Sequence, residues 1–400
     1  MTAPLVLLAG FCGLSLAAYT LAWCLVTRWL AVQHSGMPPQ RSMAPRQASL
    51  NTGLTILKPL CGADEELEQN LLSFLQLHHE PLQIIFGAAS SRDPALLLAR
   101  DLAARFPQRE VRIVAGADPS TANPKVALLE SMLPHARHEI VLLSDSNVRL
   151  AGDEVAGVLP LFADAGVGMV YQPVVAGGER TIPAAIENLH YTEYAAFLTI
   201  GVHELVRQHT VNAKGQWVRR RALETSGGFA GVRDCGADDY CLAQQVQRAG
   251  WRLAPAPVMA RVVQRDWSWS SLWARNLRHA GLRWRICPWA YPLELLFNPI
   301  PWTLPLALSG QPDMLALAAA IISAKLMMEL SAARLLRGQW LAWRLVPAVV
   351  LKDLFIFGCW FVALVPRTAQ WRHRTYRLLP GGRIEPVAEA PATELAVEME

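Results

Sequence analysis

Two apolar stretches, residues 4–27 and 291–366, bracket this chain of 400 residues and leave between them a segment of ordinary soluble character. The first holds no charged residue and exceeds the ~20 apolar residues a bilayer-spanning helix needs. Hydrophobic residues make up 52% of the chain and charged residues 18%, so the composition itself leans towards membrane segments. No basic residue precedes the first stretch, and it is longer than a signal-peptide core, so it reads as an uncleaved anchor. Arg28, Arg41 and Arg46 follow with no acidic residue among them, which places the downstream domain in the cytoplasm by the positive-inside rule.

The second stretch reads as several segments of a multi-pass integral membrane protein. Pro299, Pro301 and Pro305 make residues 293–309 either a kinked or re-entrant segment or a straight span. Residues 314–333 read as a span in which Lys325 and Glu329, four apart, can pair on one helix face. Residues 345–366 carry Lys352 and Asp353 mid-segment. The loop at 334–344 and the tail at 367–383 are both basic, yet a single crossing would separate them. One segment therefore does not cross fully.

A net charge of +4 gives no reason to expect nucleic acid. The basic residues gather beside apolar segments instead: Arg275, Arg278, Arg283 and Arg285, then Arg334, Arg337 and Arg344, then Arg367, Arg372, Arg374 and Arg377. Anionic lipid headgroups suit that placement, as does a plain solvated face. The seven cysteines form no CxxC or Cys/His cluster, which argues against structural zinc and for a reducing compartment.

Between about 52 and 260, short apolar runs alternate with helical periodicity, the pattern of an α/β domain with a mostly parallel sheet. Residues 54–57, 84–88, 111–114, 140–143 and 168–171 read as strands; residues 65–77 and 95–104 read as helices. Asp64 is placed to cap the first helix, and Asp93 with Pro94 to start the second. Ligands of such sheets bind at the carboxyl ends of the strands.

Several acidic groups fall there. Asp145-Ser146-Asn147 ends an apolar strand, which is either a turn or a pair of oxygen ligands for a hard divalent cation on a nucleotide's phosphates. Asp93 follows the 84–88 run, and Asn123-Pro124-Lys125 lies between the two. Gly227-Gly228 permits a positive-φ turn near a substrate. Asp238-Asp239 then opens a helix, as dipole-complementing charges or with one acid as general base towards an alcohol. Residues 266–290 hold five tryptophans and four arginines, with Arg275, Arg278, His279 and Leu282 on one helical face. That reads as an amphipathic helix at headgroup level, whose arginines can also meet a leaving diphosphate.

In this order the chain resembles the ceramide glucosyltransferase family of membrane-bound, inverting glycosyltransferases. The resemblance rests on Lys58-Pro59-Leu60 with Gly62 and Asp64, Asp93-Pro94, Asn123-Pro124-Lys125, Ser144-Asp145-Ser146, Gly227-Gly228, Asp238-Asp239-Tyr240 and Gly250-Trp251-Arg252. It implies an A-type nucleotide-diphospho-sugar transferase fold, a UDP-glucose donor, a divalent cation (Mg2+ or Mn2+) and a lipid acceptor such as ceramide. Asp93, Lys58, Asn123, Lys125 and Asp145 would serve the donor, Asp145 the metal, and Asp239 as base. Gly227, Gly228, Asp238, His279 and Trp284 would lie towards the acceptor, with Arg275 and Arg278 on the diphosphate.

The family's final motif, Gln or Arg, two residues, then Arg-Trp, is altered here. Arg275-Asn276-Leu277-Arg278 fits but His279 replaces the tryptophan; in the other register Arg283-Trp284 fits but Ala280 stands first. The first register keeps the usual distance from Asp239. The same chemistry on a hopanoid or diacylglycerol, or with another sugar, and a processive polysaccharide synthase remain the alternatives. The expected organisation is an anchor at 1–30, a catalytic domain at 50–265, an interfacial helix at 266–290, membrane segments at 291–366 and a basic, then acidic, disordered tail at 367–400.

Overall fold

A computed structural model describes residues 3–34, 52–195, 197–212, 214–371 and 374–387. Arg41 and Arg46, and the acidic end at 388–400, lie outside the described residues.

Strands β1 (Leu54–Pro59), β2 (Leu82–Ala88), β3 (Glu110–Ala115), β4 (Ile140–Leu143), β6 (Val167–Tyr171), β8 (Gln216–Arg219) and β9 (Arg252–Pro255) form one sheet in the order β3-β2-β1-β4-β8-β6-β9. All pairings are parallel except those of β8, which runs against both β4 and β6. Every residue of β1, β2, β4 and β6 is buried, as expected for strands covered on both faces. Crossover helices supply that cover, so the core splits into one cluster around Phe74, Phe86 and Trp217 and another around Met132, Tyr171 and Leu242. A smaller sheet of β5 (Val148–Arg149), β10 (Ala260–Val263) and β7 (Val174–Gly177) closes the far end.

The five strands read from sequence are all present. β8 and β9, four residues each, are too short to give an alternation signal. The cap assigned to Asp64 is corrected: Glu66 occupies the N-cap with φ 58° and its side chain makes no capping bond, while Asp64 accepts a hydrogen bond from Ser146 Oγ. Asp93 does cap its helix, accepting from Ala95 N at 2.9 Å, with Pro94 in the first turn.

Among the described residues, three helices are long and apolar enough to cross a membrane: Ala3–Gln33, Pro312–Arg337 and Trp343–Val362. The first two lie side by side in the same direction. Cys12 packs in a cluster with Met314 and Ile321, and further along Val26 and Trp29 pack with Ala332, Leu336 and the catalytic domain's Val175. The segment before them is broken, with a short helix Ile300–Ala307 that contains Pro305. Where the last helix begins, Leu345, Ala348 and Val349 meet Ala185, Ile186 and Leu189 of the catalytic domain. Where it ends, Ala363 packs on Ala280 and Arg285 donates to Pro366 O at 2.7 Å. Both its ends are thus held against elements on one side.

Among these helices sits a buried charge cluster. Lys325 Nζ lies 2.6 Å from both Glu193 and Glu329, and Lys352 pairs with Glu193, Glu329 and Asp353. The Lys325–Glu329 pair expected from sequence is therefore present, but as part of a five-residue network.

The tail needs correction as well. Residues 367–387 form a sheet of β11 (Thr368–Trp371), β12 (Arg374–Leu378) and β13 (Ile384–Pro386) where the sequence suggests disorder. Tyr376, Leu378 and Ile384 bury against Leu282, and that apolar anchor makes order favourable. The sheet also bonds to the catalytic domain: Gly236 N donates to Gly382 O at 2.8 Å and Ile384 N to Asp234 O at 2.6 Å. Gly236 is required there, since a Cβ would come within 2.7 Å of Ile384.

Candidate active site

The carboxyl ends of β1 and β4 bring charged residues together. Asp145 leaves β4 with its carboxylate between two lysines, Lys125 Nζ at 3.0 Å from Oδ1 and Lys214 Nζ at 2.6 Å from Oδ2. Lys125 reaches on to Asp238 Oδ2 at 2.9 Å, so one ammonium joins the strand-end acid to the acidic pair that opens the Asp238–Arg248 helix. Burial would raise the Asp145 carboxyl, but the two lysines outweigh it and hold it well below the ordinary range. Burial likewise acts to lower the Lys125 ammonium, and Asp145, Asp238 and Asp239 overcome it and lift it.

Asp239 differs from its neighbours. Burial first, then the adjacent Asp238 charge, push its carboxyl up to about 6, while Lys125 and the Tyr240 N–H, 2.8 Å from Oδ1, pull the other way. Gln216 on β8 donates to its carbonyl at 3.0 Å and fixes the helix start against the sheet. A carboxylate with that affinity for protons is suited to take one from an alcohol near neutral pH.

Other predicted residues support this centre from behind. Lys58 is completely buried, so its ammonium holds the Asp145 loop from inside, donating to Asp145 O at 2.7 Å and Val148 O at 3.3 Å above the Phe74 ring. Burial pushes it well below its usual range. Asn123 caps the Pro124–Met132 helix and donates to Cys235 O at 2.7 Å. Asp93 accepts from Gly62 N at 3.1 Å as well as from its own helix. Lys58 and Asn123, both sealed from solvent, hold the loops around this centre through these bonds.

The helix Trp269–Ile286 forms the remaining wall. Its arginines have distinct partners. Arg275 pairs with buried Glu187 at 2.6 Å and donates to Tyr191 OH at 2.6 Å. Arg283 pairs with Glu294 at 2.8 Å, and Arg285 caps carbonyls of the C-terminal sheet and its approach. Arg278 stacks over Trp371, 5.1 Å from the ring centre, with His279 Nε2 3.4 Å away. Burial and then Arg275 and Arg278 lower the His279 imidazole well below its usual range, so it is neutral. Trp284, five residues on from His279, packs instead with Tyr291, Ala280 and Ala363 towards the membrane helices. Gly227 and Gly228, with φ 102° and 64°, form a turn bonded to Gln245 Nε2. Beside that turn is a cleft of about 480 Å3 lined by Ser226, Cys235, Tyr240 and Gln245, which includes none of the predicted acids.

Lys214 is the residue that sequence reading missed. No motif flags it, since Ala213-Lys214-Gly215 has neither periodicity nor paired charges; only the return of β8 beside β4 brings it to Asp145.

A parallel sheet broken by one antiparallel strand, with acids at its carboxyl ends, is the A-type glycosyltransferase architecture. A mannosyltransferase from Pyrobaculum calidifontis, solved with GDP-Man and Mn2+, shares the fold with a TM-score of 0.52 and 20% identity, over 90% of this chain and 99% of that one. Residues 11–384 match the model of glycosyl transferase family 21, and the chain belongs to that family. Among curated relatives, ceramide glucosyltransferase 3 of Caenorhabditis elegans is 23% identical over 347 residues, 84% of this chain and 74% of that protein. Ceramide glucosyltransferase 1 of the same organism is 25% identical over 204 residues, 50% of this chain but only 43% of that protein.

Proposed function

We propose that this chain transfers glucose from UDP-glucose to ceramide or a similar lipid alcohol at the membrane surface, inverting the anomeric carbon. The observation that carries this reading is Asp239, a half-buried carboxylate with a raised proton affinity, linked through Asp238 and Lys125 to Asp145. Asp239 would accept the acceptor's hydroxyl proton as its oxygen attacks. Arg278 and Arg275 would favour departure of the nucleotide diphosphate, Arg278 from its stack on Trp371 and Arg275 from its pair with Glu187.

The oxygens around Asp145 suit a divalent cation. Asp145 and Asn147 present hard oxygen atoms that share one ammonium, a stand-in cation, in this structure. Asp145 would hold Mg2+ or Mn2+, which would supply positive charge to offset that of the donor's diphosphate. The Pyrobaculum mannosyltransferase, solved with Mn2+ and a nucleotide sugar, supports this assignment.

The catalytic domain faces the cytoplasm in this reading. Helices Ala3–His34 and Pro312–Arg337 cross the bilayer, the broken 291–308 segment carries the chain outwards, and Pro347–Val362 stays on the catalytic side because both its ends are anchored there. That arrangement reconciles the two basic segments at 334–344 and 367–383. Lipid mass spectrometry of cells with and without the protein, fed labelled sugars, tests the reaction. A new hexosyl-ceramide is expected; a labelled hopanoid, glycerolipid or polymer in its place would reassign the acceptor.

A further inference from the structure

Lys214 enters the site along a constrained path. The next residue, Gly215, lies so close to Gln172 that a Cβ would fall 2.4 Å from its Oε1. Lys214 itself is 7% exposed, and its ammonium is shared between Asp145 Oδ2 at 2.6 Å and Asn147 Oδ1 at 2.8 Å. These are the two oxygens that a cation on Asp145 would share, while Lys125 already holds Oδ1 of the same carboxylate. An ammonium and a metal ion cannot both occupy that oxygen pair.

We propose that Lys214 is the resident counter-ion of the cation subsite, which it yields when the divalent ion arrives with the nucleotide diphosphate. The inference rests on the cation reading given above. Its physical basis is twofold. Asp145 is half-buried and held by two ammonium groups, and loss of Lys214 with nothing in its place would leave Oδ2 without its cationic partner, so that oxygen needs a cation before the donor arrives. A bare divalent ion would add positive charge beside Lys125 and Lys214, whereas an ion and a diphosphate enter together as a nearly neutral pair. The site therefore discriminates against free metal and couples metal binding to donor binding.

The test measures Mn2+ binding by electron paramagnetic resonance to the full-length protein in detergent micelles, without donor and then with UDP. The wild-type chain is expected to bind Mn2+ weakly alone and much more tightly with UDP. Lys214→Met should bind Mn2+ alone about tenfold more tightly, as removal of a neighbouring charge implies, and should lose most of the gain from UDP. Lys214→Arg, which keeps the charge, should resemble the wild type. Should Lys214→Met lose its tryptophan-fluorescence melting transition, Lys214→Gln removes the same charge with a hydrogen bond retained and carries the same expectation. Unchanged or weaker Mn2+ binding in the charge-removing variant overturns the counter-ion role. Asp145→Asn separates the two ideas: if it leaves Mn2+ binding in the presence of UDP intact, the cation reading fails, whatever Lys214 does.

Discussion

Arg278 lies 5.1 Å above the ring of Trp371, and the two residues come from opposite sides of the membrane segments in sequence. One belongs to the helix walling the active site, the other to the first strand after the last apolar helix. Trp371→Ala removes a cation–π contact of about 0.5–2 kcal/mol. Turnover should fall by about two- to thirty-fold, since ~1.4 kcal/mol is a factor of ten, with little change in the donor's KM. Trp371→Phe should recover most of the loss in steady-state assays.

Arg278→Ala should lower turnover on short-chain, water-soluble acceptors as well as on native lipid, because the leaving diphosphate loses a cation in both cases. Trp273, 40% exposed and edge-on to Phe355, faces outwards from the same helix. Trp273→Ala should affect only the membrane-bound acceptor. Assays of both variants with both acceptors, in detergent and in liposomes, distinguish the roles; an Arg278→Ala variant that spares the soluble acceptor would make the helix an anchor only.

Asp239→Asn should cut kcat by roughly 10²–10⁴-fold, the range for a lost general base, while donor binding by calorimetry stays near wild type. The base must be unprotonated to act, and its carboxyl is pushed up to about 6. Activity should therefore be full above that pH and decline below it, and the acid limb should vanish in the Asn variant. Loss of donor affinity in parallel with kcat would recast Asp239 as a binding residue.

Asp145→Ala should abolish transfer and weaken donor binding. Its loss leaves Lys125 and Lys214 without their shared carboxylate and removes the proposed metal anchor. Near-normal turnover of this variant with EDTA present would rule the metal out.

Lys325→Met breaks the buried network at a fully sealed position and leaves Glu193 and Glu329 short of a partner. A loss of about 3–5 kcal/mol is expected for removal of one member of a buried pair. Denaturation in micelles measures it, and a change under 1 kcal/mol (, the scale of a surface pair) would show that water reaches the cluster.

The sequence carried the parts of the fold that repeat a local rule. Apolar runs such as 84–88 and 140–143 are strands because both their faces are covered, and Asp93-Pro94 starts a helix because an Asx cap and a proline favour that turn. Asp145 is legible for the same reason, since it ends an apolar run, whereas Asp238 and Asp239 show as paired acids opening a helix. What stayed hidden depends on distant pairing. Lys214 matters only because β8 returns beside β4, and Glu193 joins Lys325 and Lys352 only because the membrane helices dock on its segment. Residues 374–378 do alternate, with Tyr376 and Leu378 inward, but the apolar surface they bury against, Leu282, lies nearly a hundred residues earlier and shows only once the chain is folded.

The sheet at 367–387 also sets an order of events. A chain emerges from the ribosome from its N-terminus, and its domains fold as they become available. The strand carrying Trp371 and the backbone that pairs with Asp234 and Gly236 come out after every apolar helix. The wall of the active site is therefore completed only once membrane insertion is finished, so a newly made chain still in transit has the acids and lysines in place but not the clasp that steadies Arg278.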